Sequence, residues 1–550
     1  VPRPLTPALS RLPRLPRLPS PGSVMPRLGR PGSRSAQLHA EQDKRFVTAS
    51  ISELNRFALL RWLGLVGTLL IGLGGLGGGA LPVVDNPYGA FPAGAFMARM
   101  LQASSALVLI GVGFLVAAWV FMGPFVGAGS APPRVRTSVL LRTCAAWVLP
   151  LLFTAPLFTQ DIYSYLAHGS IARQGLDPYA AGPVDILGTE DPLARSVPFV
   201  WADSPSPYGP VALGVAAAIS WLTHDSILYG VLAHRAVSLL GIAAAAWGVI
   251  ALSRRCGVAS SAAVWLGILN PLTILHLVGG IHNEALLLGF VLVGVEVGLR
   301  GVDALRTRPA RAAGLVCASG FFIACGGMVK ITGFIGLGFV GMALARAWSA
   351  RLGPWGLAAA AAAQTALLAA SVLAVTWITG IGFGWITGQG GALEIRSWLS
   401  LTTDIGVIAG FIGMLLDLGD HTEAMMAVAR VAGLIVAAVF MVRMLWATYR
   451  GTIHPVGALG VSTLVLVILF PVVHPWYPLW AIVPLAAWAN RLSFRVGVGV
   501  YSAVFSFLVL PRGLGLPPGT VFTIYASAAV YFAMLVALAW LWYRRSGARV

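Results

Sequence analysis

Many separated apolar runs of about 20 residues divide this 550-residue sequence, each the length a helix needs to cross a bilayer. Inside hydrocarbon no water pairs with the backbone, so each run must satisfy its own N–H and C=O groups, as a helix does. With 57% hydrophobic and 10% charged residues and a mean hydropathy of +0.82, the chain reads as an all-α polytopic membrane protein. The formal charge of +18 does not call for nucleic acid. The positive residues lie in short loops beside apolar runs and in the first fifty residues, where they orient the spans. Cys144, Cys256, Cys317 and Cys325 fall inside or at the ends of apolar runs without metal-ligand spacing, and read as packing residues.

Residues 1–50 hold nine Lys or Arg against Glu41 and Asp43 and are punctuated by proline, as in Arg14-Leu15-Pro16-Arg17-Leu18-Pro19. They read as a disordered cytoplasmic tail, with the membrane domain spanning 51–550. A cleaved signal peptide is not expected, because the first apolar run starts only near Phe57. Val1 and Met25 are both candidate starts.

With a basic tail inside, the run at about 57–79 goes out, that at about 104–128 returns to Arg134, Arg136 and Arg142, and that at about 138–158 goes out again. Asp161 then faces outside, at the head of an outer loop of about 159–225. Its apolar residues 211–222 are too few for a comfortable span. Laying them, and a second short segment at about 404–418, in the membrane surface keeps the arginines of the later loops cytoplasmic, from Arg254 and Arg255 to Arg544 and Arg545. The expectation is roughly 14 spans, both ends inside, with juxtamembrane helices in the outer loops. The outer face then collects Asp161, His168, Arg173, the run Gly280-Ile281-His282-Asn283-Glu284, Lys330, Glu394, Arg396, Trp398 and His474-Pro475-Trp476-Tyr477.

If the third helix continues past Gln160, Asp161, Tyr165 and His168 share one face at i, i+4 and i+7. An acid there can bind a sugar hydroxyl and take its proton; a helix-end acid satisfied by loop amides is the plain alternative. His282-Asn283-Glu284 opens the helix after Asn270-Pro271, so its free amides favour an anion such as phosphate. Asn283 as an ordinary cap with Glu284 in the first turn accounts for the same residues. Lys330 and Lys44 are the chain's lysines, and Lys330 lies among apolar residues, where its ammonium needs an anionic partner or must snorkel to the interface. His474, Trp476 and Tyr477 offer an imidazole beside rings suited to a sugar or an isoprenoid, although Trp and Tyr also populate interfaces without a ligand. Ser206-Pro207-Tyr208-Gly209-Pro210 is a rigid turn. Walker, dinucleotide, Ser-His-Asp and zinc signatures are absent, so soluble-cofactor chemistry has no support.

The runs Gln160-Asp161-Ile162-Tyr163-Ser164-Tyr165, Leu176-Asp177-Pro178-Tyr179, Ser206-Pro207-Tyr208-Gly209-Pro210, Gly280-Ile281-His282-Asn283-Glu284 and His474-Pro475-Trp476-Tyr477 resemble those of the actinobacterial α-1,6-mannosyltransferases of the MptA/MptB type. The likeness runs from about residue 57 onward. Glu284 stands where the commoner family form is His-Asn-Asp, keeping the carboxylate with a longer reach. The resemblance implies a GT-C glycosyltransferase fold and a polyprenyl-phosphate mannose donor. It also implies an acceptor that is a mannosylated phosphatidylinositol glycolipid of the lipomannan and lipoarabinomannan backbone. Asp161 is then the catalytic base of an inverting transfer at the outer face of the plasma membrane. His282, Asn283, Glu284, Lys330, His474, Trp476 and Tyr477 are expected on the donor side, and Tyr165, His168, Arg173 and Tyr208 on the acceptor side. No cofactor or metal is assigned; Glu284, Asp177, Asp185 and Asp191 leave a divalent ion open. The competing readings are a GT-C transferase of another sugar or acceptor, a lipid-linked sugar flippase, or a scaffold for cell-wall assembly.

Overall fold

The computed structural model describes residues 46–129, 132–388 and 396–547, and every regular element among them is helical. Residues 1–45 of the basic leader, and Glu394, lie outside the described residues. Helix α1 (Ile51–Gly78) opens on a capping box, with Ser50 Oγ accepting from the Glu53 N–H at 3.3 Å and the Glu53 carboxylate from the Ser50 N–H at 2.9 Å. Glu53 also pairs with Arg134, tying this start to the loop after α2 (Leu101–Met122). Where α1 and α2 cross, a Cβ on Gly67 would sit 2.7 Å from the Gly111 carbonyl, and one on Gly111 2.5 Å from the Gly67 carbonyl. Helices in lipid gain little from hydrophobicity on associating, so their backbones approach through such small residues.

The chain continues through α3 (Thr137–Val148), α4 (Asp161–Arg173), α5 (Pro210–Thr223), α6 (Ile227–Cys256), α7 (Ser260–Gly267), α8 (Glu284–Ala304), α9 (Pro309–Val329) and α10 (Ile335–Leu352). It ends with α11 (Trp355–Thr379), α12 (Leu401–Leu415), α13 (Thr422–Arg450), α14 (Pro455–Leu469), α15 (Leu479–Ala486), α16 (Leu492–Phe505) and α17 (Pro518–Gly547). Nine helices among the described residues are long and apolar enough to cross a membrane, and five further apolar helices have 10–17 residues. Proline explains several of the breaks, since it lacks the N–H that a continuing helix would donate. Pro150 sits in a 3₁₀ turn (Leu149–Phe153) after α3, Pro271 precedes a π-helical stretch (Thr273–Gly279), and Pro471, Pro475 and Pro478 separate α14 from α15. The two short segments expected at the membrane surface form α5, of 14 residues, and α12, of 15.

Helix α8 packs against α6, α9 and α10, and its two ends differ in chemistry. At one end Glu296, its side chain 4% exposed, accepts from Arg255 Nε at 2.9 Å and Arg300 Nε at 2.7 Å, while Asp303 accepts from Arg255 Nη1 at 2.6 Å. Glu284 begins the same helix at its other end, and Lys330 closes α9. The arginines and the candidate site residues therefore occupy opposite ends of shared helices.

The glycine crossing yields a prediction. Gly111→Val overpacks the α1–α2 contact and lowers stability by about 1–3 kcal/mol, read as a lower Tm of the detergent-solubilised protein. Gly314→Ala, at a helical position where a Cβ meets nothing within 4 Å, leaves Tm unchanged or raised.

Candidate active site

Four breaks in helical structure converge on one cavity. The first separates α3 from α4. The third apolar run does not continue past Gln160; it ends in the 3₁₀ turn, and α4 starts afresh at Asp161, whose N–H donates to Thr159 Oγ1 at 3.1 Å. The helical spacing survives, so Asp161, Tyr165 and His168 all line the cavity from α4. Asp161 Oδ1 accepts from the Trp201 indole N–H at 3.1 Å, and Oδ2 lies 3.6 Å from His282 Nδ1. Tyr165 meets Tyr208 hydroxyl to hydroxyl at 3.1 Å, and the Tyr208 carbonyl accepts from the Tyr179 hydroxyl at 3.0 Å.

The second break lies between α7 and α8. Asn270 Oδ1 accepts from the Leu272 N–H at 2.9 Å while Nδ2 donates to Ser502 Oγ at 2.8 Å. The π-helical stretch that follows delivers His282 and Glu284. Glu284 Oε1 accepts from Lys330 Nζ at 2.9 Å, so the anionic partner the lysine needs comes from the chain itself.

Lys330 belongs to the third break, the extended residue between α9 and a 3₁₀ turn (Ile331–Phe334). The reversal is tight enough that a Cβ on Gly333 would run into the Gly326 backbone. Lys330 Nζ also donates to the Tyr477 hydroxyl at 3.1 Å and sits 4.2 Å and 4.8 Å from the ring centroids of Tyr477 and Trp480.

The fourth break, between α14 and α15, leaves carbonyls without helical partners. Ser397 Oγ donates to Val473 O at 2.5 Å, Ser400 Oγ to Phe470 O at 2.8 Å and Thr403 Oγ1 to Pro471 O at 2.9 Å. On this segment Trp476 is stacked between two imidazoles, 3.9 Å from His282 and 4.7 Å from His474 between centroids.

The cavity holds about 990 Å³ of space, its open mouth included. Six of its lining residues carry buried polar atoms with no hydrogen-bond partner among the described residues: Ser164 Oγ, His168 Nδ1, His282 Nε2, Glu284 Oε2, Thr332 Oγ1 and Trp476 Nε1. Buried polar groups are rarely left unpaired, and a ligand would satisfy these. Burial raises the Asp161 carboxyl above the usual carboxylate range; the Trp201 hydrogen bond opposes this and the Glu284 charge adds to it. Burial pushes His168 down to about 4, and burial together with Lys330 pushes His474 down to about 4. His282 is held well below its ordinary value by burial, then by His474 and Lys330. With the histidines neutral, the charges lining the cavity are two carboxylates, Asp161 and Glu284, and one ammonium, Lys330.

Ten of the twelve site residues expected from sequence line this cavity. Arg173 and Asn283 do not. Arg173 pairs with Asp225 at 2.6 Å and donates to Ser220 Oγ at 2.9 Å at the far end of α4. Asn283 precedes α8 in helical conformation and makes no side-chain cap bond, so the cap reading fails for it too. Asp177 accepts from the Tyr179 N–H, and Asp191 caps a short helix (Pro192–Ser196). Among the described residues no three His, Cys, Asp or Glu side chains converge in a way that could hold a metal ion. Sequence reasoning missed Trp201, which sits on a one-turn helix (Phe199–Ala202) within the polar stretch between α4 and α5, and His276, whose ring lies 5.0 Å from Trp476. A tryptophan in a loop and a histidine inside an apolar run carry no signal of their own.

Comparison with known proteins places the chain in a family. Residues 61–346 match the family model described as Alpha-(1->6)-mannopyranosyltransferase, N-terminal domain, and residues 402–537 match the one described as MptB C-terminal domain. The chain is 58% identical to Alpha-(1->6)-mannopyranosyltransferase B of Corynebacterium glutamicum, over 95% of this chain and 92% of that protein. It is 38% identical to an Alpha-(1->6)-mannopyranosyltransferase of Mycobacterium tuberculosis, over 84% of each chain, and 30% identical to Alpha-(1->6)-mannopyranosyltransferase A of that organism, over 82% of this chain and 83% of the relative. No solved structure matches. The polar residues gathered at the cavity fall within the matched regions, and the chain belongs to the alpha-(1->6)-mannopyranosyltransferase family of glycosyltransferases.

Proposed function

We propose that this glycosyltransferase moves mannose from polyprenyl-phosphate mannose to an α-1,6-mannan-bearing phosphatidylinositol lipid of the lipomannan and lipoarabinomannan backbone. Transfer takes place at the outer face of the plasma membrane. The observation that carries this reading is the charge pattern of the cavity, which combines a carboxylate with a raised affinity for protons and a single ammonium. A nucleotide-diphosphate sugar brings several negative charges and would meet two carboxylates. A lipid phosphodiester brings one, which Lys330 can offset. The relatives' names support mannose and the α-1,6 linkage.

Asp161 Oδ2 takes the proton of the acceptor hydroxyl as that oxygen attacks the anomeric carbon. The bond from that carbon to the phosphate oxygen breaks, its electron pair leaves with the lipid phosphate, and the β-linked donor gives an α-linked product. Lys330 and the Tyr477 hydroxyl stand ready to stabilise the charge growing on the phosphate. Tyr165, Tyr208 and His168 face the acceptor. In this reading the fold is of GT-C type with roughly 14 crossings and both ends cytoplasmic. The segregation of arginines and site residues to opposite helix ends supports that arrangement.

Transfer of labelled mannose from synthetic polyprenyl-phosphate mannose to a short α-1,6-mannoside tests the proposal directly. Asp161→Asn is expected to lower kcat by about 10²–10⁴-fold with donor binding unchanged; an unaffected rate would move the base elsewhere. Because the base acts ionised and its pKa is raised, activity falls on acidification at a higher pH than an ordinary carboxylate would give. Trp201→Phe removes a hydrogen bond that favours the ionised form, so that acid limb shifts to still higher pH in a pH–rate profile. Glu284→Gln removes a charge that competes with the donor phosphate for Lys330, and donor affinity rises about tenfold in a lipid-binding assay. Weaker binding would place Glu284 among the groups that hold the phosphate.

A further inference from the structure

Arg235 lies in α6, long and apolar enough to span a membrane, and is 1% exposed. A guanidinium in such a place is costly unless fully paired. Its hydrogen bonds go to backbone carbonyls: Nη1 donates to Leu152 O at 2.8 Å and Thr154 O at 2.9 Å, Nη2 to Ala155 O at 3.5 Å and Nε to Val278 O at 3.3 Å. The first three carbonyls belong to the break that leads to Asp161, and the fourth to the π-helical stretch that leads to His282. The same two segments meet again where the Leu157 N–H donates to Gly279 O at 3.0 Å. Just beyond these contacts each segment holds a non-glycine residue in the left-handed region, Phe158 at φ 64° and Ile281 at φ 58°. Such conformations cost about 1–3 kcal/mol each and persist only where the surroundings over-determine them.

We propose that Arg235 is a positioning residue for the transfer reaction, a clamp whose planar fork joins the two segments and so sets the Asp161 carboxylate against His282. It does not line the cavity and acts only through the backbone it holds. A lysine offers its three N–H donors from a single nitrogen, without the planar fork whose three nitrogens reach the two segments here.

Arg235→Lys and Arg235→Gln test this in the full-length purified protein, with Arg495→Gln as a comparison. Arg495 is likewise buried, 2% exposed, and donates to Gly127 O and Ala128 O, both at 2.8 Å, outside the cavity lining. Two readouts are needed: amide hydrogen exchange, and the pH dependence of mannose transfer from synthetic polyprenyl-phosphate mannose. The Arg235 variants are expected to exchange faster at residues 157–160 and 279–282 together. Their kcat falls about 10²-fold while donor KM stays nearly constant. Water reaching a loosened Asp161 reduces the burial that raises its pKa, so the acid limb moves to lower pH. Arg495→Gln lowers Tm and moves neither the limb nor those amides. Arg235 variants with wild-type kcat and acid limb per folded molecule would overturn the proposal, as would exchange that rises evenly over the chain. Failure of both Arg235 variants to fold would make the guanidinium a folding requirement, and the positioning role would fall. If the wild type transfers no mannose, the donor reading fails while the exchange pattern still decides the clamp.

Discussion

Non-helical backbone inside an apolar protein must find partners for every N–H and C=O it frees, and this requirement organises the site. Three of the four breaks that form the cavity are met by polar side chains, and the remaining one, at Lys330, by backbone bonds to Gly326 and Gly333. Arg235 holds the carbonyls before Asp161, Asn270 holds the turn into the π-helical stretch, and Ser397, Ser400 and Thr403 hold the carbonyls of residues 470–473. Side chains reach the cavity from each of these breaks, and from α4 as well. The chemistry and the cost of displaying it therefore share a location.

The ionic design follows the same economy of charge. Lys330 is satisfied within the chain by Glu284 and Tyr477, so its ammonium is paired by the protein itself. Glu284 leaves one carboxylate oxygen unpaired among the described residues, and Asp161 keeps one oxygen beyond hydrogen-bond distance of His282. These are the groups with capacity to spare. The aromatic stack of Trp476 between His282 and His474 fixes the two imidazoles relative to each other and ties the second break to the fourth. Burial keeps those imidazoles neutral, which leaves Lys330 as the cation lining the cavity.

Much of the site was legible because polar residues stand out in an apolar chain. Asp161, His282, Glu284, Lys330 and His474 interrupt or border apolar runs, and the cost of placing them there marks them. Arg173 satisfied the same criterion yet serves a local ion pair with Asp225, since a charge at a helix end has several uses and its sequence neighbours do not say which. Trp201 escaped notice because loop tryptophans are common at membrane interfaces. The sequence shows that the Lys330 ammonium needs an anion; that Glu284 supplies one depends on α8 and α9 packing antiparallel, the start of one beside the end of the other, a contact between residues 46 positions apart.

The sequence alone determined that the chain is helical and membrane-embedded, because only apolar runs of spanning length are compatible with an unhydrated backbone. It also determined which polar residues are too costly to be idle, and through their motifs the family. Only the tertiary structure decided where apolar runs break, which broken ends meet, and that Arg235, Trp201 and His276 belong to the surroundings of Asp161 and His282. Periodicity reports a residue's face on its own helix. The partner that face meets is set by long-range packing, which a local pattern does not encode.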